Sequence, residues 1–190
     1  RPYFIYSSRL SDTSKKHLEL IKAFTLFKER TGLPHRLVLA GGEGECSKII
    51  NDAIVNNPYS SSILVTGFFP HQNVAKLYAS ATACIFPAVN EGVGLAVLES
   101  MACGIPVLCS DKGALKELCK DVPIYFNSDN IEQIADSMKL IVENNDLYKQ
   151  KGLSATEKRT FNSAKQILIS ELSLVNNLNN EQAEMLMKQK

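Results

Sequence analysis

The sequence predicts a doubly wound parallel α/β sandwich, and three observations carry that prediction. Its short β-rich segments, such as Leu37-Val38-Leu39-Ala40 and Ala83-Cys84-Ile85-Phe86, are apolar throughout rather than alternating. Segments with helical periodicity separate them, and loops holding Gly or Pro close most of them. The 190 residues suffice for one domain with a sizeable core. Wholly apolar strands belong to sheets covered on both faces, and right-handed crossovers between them put helices on each face.

The elements follow in order. Residues 4–7 form a short strand. Residues 16–30 form a helix, with Leu18, Ile21, Ala23, Phe24 and Phe27 on one stripe and Gly32-Leu33-Pro34 ending it. Residues 37–40 are a buried strand closed by Gly41-Gly42-Glu43-Gly44, and 47–56 are helical up to Pro58. The strand at 63–65 runs into Gly67, and the helix at 73–79 turns Val74, Leu77 and Tyr78 inward, with His71 read as its start. Residues 83–86 form a strand stopped by Pro87, and 95–102 form a helix so apolar that burial is expected. Gly104 closes that helix before the strand at 106–109, and a short helix at 114–118 precedes the strand at 124–126. Residues 131–142 are amphipathic through Ile131, Ile134, Ala135, Met138, Ile141 and Val142. Helical character continues over 146–178, with a modest stripe of Ala164, Ile167, Leu168, Leu172 and Val175, and the last ten residues read as a polar tail. The division expected is a domain over 1–162 and a C-terminal helix and tail over 163–190.

A net charge of +1 leaves no global field to recruit nucleic acid or an anionic membrane. The cysteines (Cys46, Cys84, Cys103, Cys109, Cys119) are odd in number and lack Cys-x-x-Cys spacing, which favours buried thiols in a reducing compartment over a disulfide framework or a zinc site. His17, His35 and His71 are scattered, without paired ligand spacing. No stretch approaches the roughly 20 apolar residues of a membrane helix. The chain opens on Arg1-Pro2 and enters a strand almost at once, so it reads as a fragment of a longer protein.

In such a sheet ligands bind beyond the carboxyl ends of the strands, and the chemistry-bearing residues cluster in or beside those loops. The richest stretch runs from Asn90 to Val107: Glu91, the turn Gly92-Val93-Gly94, the helix beginning at Leu95, and Glu99 within it. A helix start free of side chains is an anion site, because its first N–H groups are unpaired and the macrodipole is positive there. An ionised glutamate is a pure acceptor and suits hydroxyl pairs. Glu99 would sit about 6 Å along the helix axis from its start. The pair could be ordinary loop and helix glutamates, but burying Glu99 in an apolar helix without a partner is expensive. The order hydroxyls, pyrophosphate, hydroxyls describes a nucleotide-sugar.

Other loops add to this. Arg9 and Lys15 follow the first strand, six residues apart, and could neutralise a pyrophosphate; Lys16 rivals Lys15, and a solvated basic loop is the alternative. Gly41-Gly42-Glu43-Gly44 lacks the third glycine of a dinucleotide fingerprint and follows the second strand, so it reads as a turn needing positive φ. Phe68 and Phe69 stand at a strand end, where they either pack into the core or await a cover.

The stretch 91–107 resembles the Glu-x7-Glu motif and following helix of family-4 (group 1) glycosyltransferases of the GT-B class, whose common form is Glu-Gly-Phe-Gly-Leu-Pro-x-Leu-Glu-Ala-Met-Ala-x-Gly-x-Pro-Val. The similarity extends over residues 4 to about 166 through Arg9-Leu10, Lys15-Lys16, Ala23-Phe24, Gly42-x-Gly44, Gly67-Phe68, Leu77-Tyr78 and Tyr125-Phe126. Val93 replaces the usual Phe, Ala96 the usual Pro, and Lys112-Gly113-Ala114 stands where Gly-Gly is frequent. The resemblance covers only the C-terminal, donor-binding half of that family, a Rossmann-like domain with extra C-terminal helices.

The resemblance implies a retaining glycosyltransferase in which Glu91 meets the sugar hydroxyls and Arg9 and Lys15 stabilise the departing diphosphate. It places Glu99 on the ribose, Gly92, Val93, Gly94 and Leu95 under the pyrophosphate, Gly42 beside the nucleotide, and Phe68 and Phe69 at the base. It implies a nucleoside-diphosphate sugar as donor and no separate cofactor; no metal is expected, since no Asp-x-Asp motif appears in the donor region, and the net charge of +1 argues against a nucleic acid partner. The chain's own N-terminal domain, outside this sequence, would hold an acceptor sugar or lipid-linked sugar. The isolated fragment would bind but hardly turn over. The expected location is cytoplasmic, with peripheral membrane attachment through the other half as a variant. A GT-B-fold sugar-nucleotide epimerase and a non-catalytic scaffold are the alternatives. The first needs acid/base residues that the motifs do not supply, and the second would be favoured by loss of Glu91, Glu99 or Arg9.

Overall fold

A computed structural model of the chain describes residues 1–70, 73–91, 94–144, 166, 169, 170, 173 and 179–182. Six parallel strands form one sheet: β1 Tyr3–Ser7, β2 Arg36–Ala40, β3 Ile63–Val65, β4 Ala83–Phe86, β5 Val107–Ser110 and β6 Ile124–Phe126, in the order β3-β2-β1-β4-β5-β6. The helices are α1 His17–Thr31, α2 Ser47–Val55, α3 Val74–Ala79, α4 Leu95–Ala102, α5 Leu115–Cys119 and α6 Ile131–Glu143. The chain steps one way from β1 to β3 and the other way from β4 to β6. Right-handed crossovers therefore place α1 and α2 on one face and α4 on the other. The direction reverses between β1 and β4, the switch point at whose carboxyl ends sheets of this kind form their binding crevice. This is the doubly wound sheet the apolar runs predict.

Sequence and packing agree along most of the core. Phe4 turns toward α1, its ring 5.3 Å from Phe27 and edge-on to it. Phe4, Ile5, Phe24, Phe27, Leu37, Leu39 and Ile85 are fully buried, each contributing about 1.5–3 kcal/mol on transfer from water. α6 packs along α1 through Ile134, Ala135, Met138 and Ile141, and Asn130 caps it by accepting from the Gln133 N–H at 3.1 Å.

Three expectations need correction. Leu20, not Leu18, completes the buried stripe of α1; Leu18 is half-buried beside α2. α4 is not buried all round: Val97, Leu98, Ser100 and Met101 are, while Leu95 at its first turn is exposed, because that turn looks out over the carboxyl edge of the sheet. β3 is an edge strand, and Leu64 and Val65 are exposed although the run is apolar. His71 lies outside the described residues.

Of the C-terminal segment, Gln166, Ile169, Ser170 and Ser173 are helical and Ile169 is buried. Ile167, Leu168, Leu172 and Val175 lie outside the described residues. Helical backbone resumes at Asn180, where Asn179 and Gln182 form a reciprocal cap: each side-chain oxygen accepts from the other's backbone N–H, at 2.9 and 3.0 Å. Glu181 and Gln182, the first residues of the expected polar tail, are helical.

Candidate functional site

The crevice is assembled by loops that bind one another through backbone. The loop after β1 runs alongside the loop after β2: Ser8 N–H donates to Ala40 O at 3.0 Å, Leu10 N–H to Gly42 O at 3.1 Å, and Cys46 N–H to Leu10 O at 3.0 Å. Gly41 and Gly44 make this possible. A Cβ at Gly41 would overlap the Ser8 carbonyl oxygen, and one at Gly44 would lie 2.5 Å from that of Leu10. Neither has positive φ, so the expected reason for these glycines is replaced by another, the close approach of a neighbouring loop. Gly42 is open, with only the Phe68 Cβ at 4.0 Å from its added Cβ. Arg9 is exposed, and its Nε donates to Glu43 O at 2.9 Å, which tethers the guanidinium over the glycine loop.

Further along the post-β1 loop, Asp12 accepts from the Ser14 N–H at 2.9 Å and from the Ser11 and Ser14 hydroxyls. The Ser14 hydroxyl above all holds this carboxyl below the usual carboxylate range. A single 3-10 turn, Thr13–Lys15, follows, and Lys16 then takes a left-handed conformation, φ 56°, to start α1. That reversal sends the two lysines apart. Lys16 Nζ lies 3.1 Å from Glu19 and 2.8 Å from Asp129. Lys15 Nζ forms an ion pair with Glu91 across the β1–β4 crevice, with 21% and 22% of the two side chains exposed. Val89 N–H donates to Ser14 O at 3.0 Å and welds the same two loops through backbone.

Tyr6 supports Lys15 from below. Its hydroxyl donates to the Lys15 carbonyl at 2.8 Å, and its ring lies 4.9 Å from His17 and 5.6 Å from Phe86. Burial pushes the Tyr6 hydroxyl well above its ordinary pKa, and burial pushes His17 down to about 4, so the imidazole is neutral at neutral pH. Tyr6 and Val89 carry no motif. The available sequence signal is a tyrosine in an otherwise apolar strand, since a buried hydroxyl needs a partner.

On the β4 side, Gly94 has φ 62° and caps α4 with no side chain. A Cβ there would overlap Leu115 Cδ2. The Leu95 side chain is exposed beside this helix start. Gly92 and Val93 lie outside the described residues. The loop after β5 closes on Glu91: a Cβ at Gly113 would sit 3.2 Å from the Glu91 carbonyl oxygen. Glu99 is half-buried on the next turn of α4. Its charge is felt by Cys103, whose thiol is pushed up first by burial and then by Glu99.

The two phenylalanines part company. Phe68 is 88% exposed, beside Gly42 at the end of β3. Phe69 is half-buried and lines a cavity of about 440 Å³ with Tyr3, Thr66, Asn73, Leu77 and Ser80, against α3. The crevice thus gathers Lys15, Glu91 and the Gly94 helix start, with Arg9, Gly42 and Phe68 toward β2 and β3.

A doubly wound parallel sheet with a cation–carboxylate pair and a glycine-started helix at its switch point defines a Rossmann-like α/β domain. The sequence profile of the glycosyl transferases group 1 matches residues 1–158, and the chain belongs to that family. It is 28% identical over 116 residues to the O-antigen chain mannosyltransferase B of Escherichia coli, covering 61% of this chain and 30% of that protein. It is 33% identical over 121 residues to a GDP-mannose-dependent alpha-(1-6)-phosphatidylinositol dimannoside mannosyltransferase of Mycobacterium tuberculosis, covering 63% of this chain and 30% of that protein. The chain thus spans under a third of the length of these relatives. Among solved structures, the catalytic domain of the Helicobacter pylori cholesterol-alpha-glucosyltransferase superposes with a TM-score of 0.69 at 20% identity, over 88% of this chain and 99% of that one. Anabaena HepE in complex with UDP gives 0.70 at 18% identity, over 86% and 44%. These likenesses show the shared fold, that of GT-B glycosyltransferases.

Proposed function

We propose that this chain is the donor-binding half of a retaining glycosyltransferase that takes a nucleoside-diphosphate sugar. The observation that carries the reading is the Lys15–Glu91 pair at the β1–β4 switch point, beside the uncapped start of α4. Arg9 and Lys15 stabilise the diphosphate as it leaves. Gly92, Val93, Gly94 and Leu95 offer it backbone N–H groups, a form of electrostatic catalysis. Glu91 accepts from sugar hydroxyls and Glu99 from the ribose. Gly42 and exposed Phe68 border the base, whereas Phe69, turned toward α3, supports that loop from behind. The names of the relatives favour a mannosyl donor carried on GDP. An N-terminal domain completes the cleft and holds the acceptor sugar or lipid-linked sugar. The reaction proceeds in the cytoplasm and needs no metal or other cofactor.

Calorimetric titration of the chain with GDP, UDP and ADP, their monophosphates, and GDP-mannose and UDP-glucose tests this. One diphosphate should bind weakly and more tightly than its monophosphate. No heat and no chemical-shift change at millimolar concentration with any of them would sink the reading.

A further inference from the structure

We infer that Lys15 and Glu91 work as one specificity-determining unit that favours an intact sugar nucleotide over the free nucleoside diphosphate left after transfer; this rests on the donor-site reading above. The two side chains come from loops 76 residues apart and are mostly buried where they meet. Both backbones are fixed. The Tyr6 hydroxyl holds the Lys15 carbonyl at 2.8 Å, Val89 N–H holds Ser14 O at 3.0 Å, and Gly113 packs on the Glu91 carbonyl. The ammonium therefore leaves Glu91 by swinging its own flexible stem, not by loop movement.

An incoming diphosphate must draw Lys15 away from Glu91, and what then faces the carboxylate sets the cost. A sugar ring brings hydroxyl donors to an acceptor-only group, so the intact donor replaces the bond it breaks. The free diphosphate ends in a terminal phosphate that is acceptor-only and gains a further negative charge near pH 6. It leaves Glu91 without a donor and beside a like charge. Lys16 offers no substitute cation, because Glu19 and Asp129 hold it at 3.1 and 2.8 Å. The pair thus penalises the product and spares the donor.

The test is a double-mutant cycle on wild type, Glu91→Gln, Lys15→Met and the double variant. Each is titrated with GDP and GDP-mannose and with UDP and UDP-glucose, and the pair that wild type binds is scored. Glu91→Gln should tighten the free diphosphate about fivefold in wild type and less than twofold in the Lys15→Met background, without tightening the sugar nucleotide. Three results overturn the inference: no tightening of the diphosphate, equal tightening in both backgrounds (simple repulsion), or equal tightening of diphosphate and sugar nucleotide. Should Glu91→Gln not fold, Glu91→Asp shortens the carboxylate's reach and should move the diphosphate the same way by less; no movement there is likewise fatal. If wild type binds neither nucleotide pair, the donor-site reading falls and takes this inference with it. Binding without coupling removes the inference alone.

Discussion

The loops after β1 and β4 are tied to one another by an ion pair, a backbone hydrogen bond and a buried tyrosine beneath. The loop after β3 presents Phe68 almost bare to solvent beside an open glycine. One side of the rim carries Lys15 and Glu91 in a fixed frame; the other carries the exposed Phe68 ring, with Arg9 reaching from the post-β1 loop to the glycine loop after β2. Fixed charge is what a diphosphate needs, because electrostatic stabilisation works best when donors and cations are already in place. An exposed aromatic next to bare backbone suits a flat, partly apolar base, which supplies its own cover on binding. On the donor-site reading proposed above, the contrast would put the diphosphate on the tied side and the base on the open one.

The post-β1 loop is also tied by close backbone contact to the loop after β2, and that tie should be fragile. Gly41→Ala sets a Cβ against the Ser8 carbonyl, which is backbone and cannot turn aside. It should cost about 2–4 kcal/mol, whereas Gly42→Ala, one residue on and open, should stay within about 0.5 kcal/mol. Urea unfolding of the two variants checks this. Equal costs would mean that the post-β1 and post-β2 loops separate readily.

The same side rests on a buried neutral imidazole. His17 titrates near 4 in the folded chain against about 6.5 unfolded, because burial disfavours its charged form. The unfolded state therefore binds more protons between these values. The stability so gained is complete above pH 6.5 and is lost as pH falls toward 4, on the order of 3 kcal/mol in all. The groups whose charges bear on it are Asp12, Lys15 and Glu19. The lowered carboxyls of Asp12 and Asp129 titrate below the ordinary carboxylate range and so act beneath this window. His17→Phe, which keeps a ring against Tyr6, should flatten the pH 6.5–4 slope of unfolding free energy. An unchanged slope would remove His17 as the cause.

Lys15 and Lys16 sharpen the comparison within two residues. Lys15→Met should weaken nucleoside diphosphate binding about tenfold, since it deletes a cation aimed into the crevice. Lys16→Met should leave affinity within twofold and trim stability by less than about 1 kcal/mol, as expected for pairs near the surface. Calorimetry with the same diphosphate compares them. A larger affinity loss from Lys16→Met would reverse the assignment.

The pair also shows where sequence reading stops. The sheet was legible because apolar runs, helical stripes and Gly or Pro punctuation are local signals. The candidate loops followed, since strand ends define them. That Lys15 meets Glu91 while Lys16 turns to Glu19 and Asp129 was not legible: it turns on the φ of 56° at Lys16 and on a glutamate 76 residues away. Gly41 and Gly44 were misread for a related reason. A glycine's neighbours in space, here the Ser8 and Leu10 carbonyls, are invisible in one dimension. Leu20 replaced Leu18 because the direction of a helical stripe depends on which partner helix lies alongside. The Asn179–Gln182 cap, by contrast, is a readable Asn-x-x-Gln pattern at the junction with the polar tail.

The open side yields the smallest effect and the cleanest separation of binding from folding. Phe68 is 88% exposed, so Phe68→Ala removes almost no buried surface and should leave stability within about 0.5 kcal/mol. If the base lies over it, the lost aromatic contact should weaken nucleotide binding about fivefold, near the low end of base–aromatic stacking. Phe69→Ala should do the opposite. Its side chain is half-buried against α3 and packs on the core, so stability should fall while affinity changes mainly through the loop it supports. Thermal melts and titrations of the two variants read both quantities. An affinity loss confined to Phe69→Ala would move the base from the rim at Phe68 and Gly42 to the cavity beneath α3, and the open side would then be surface for another part of the protein.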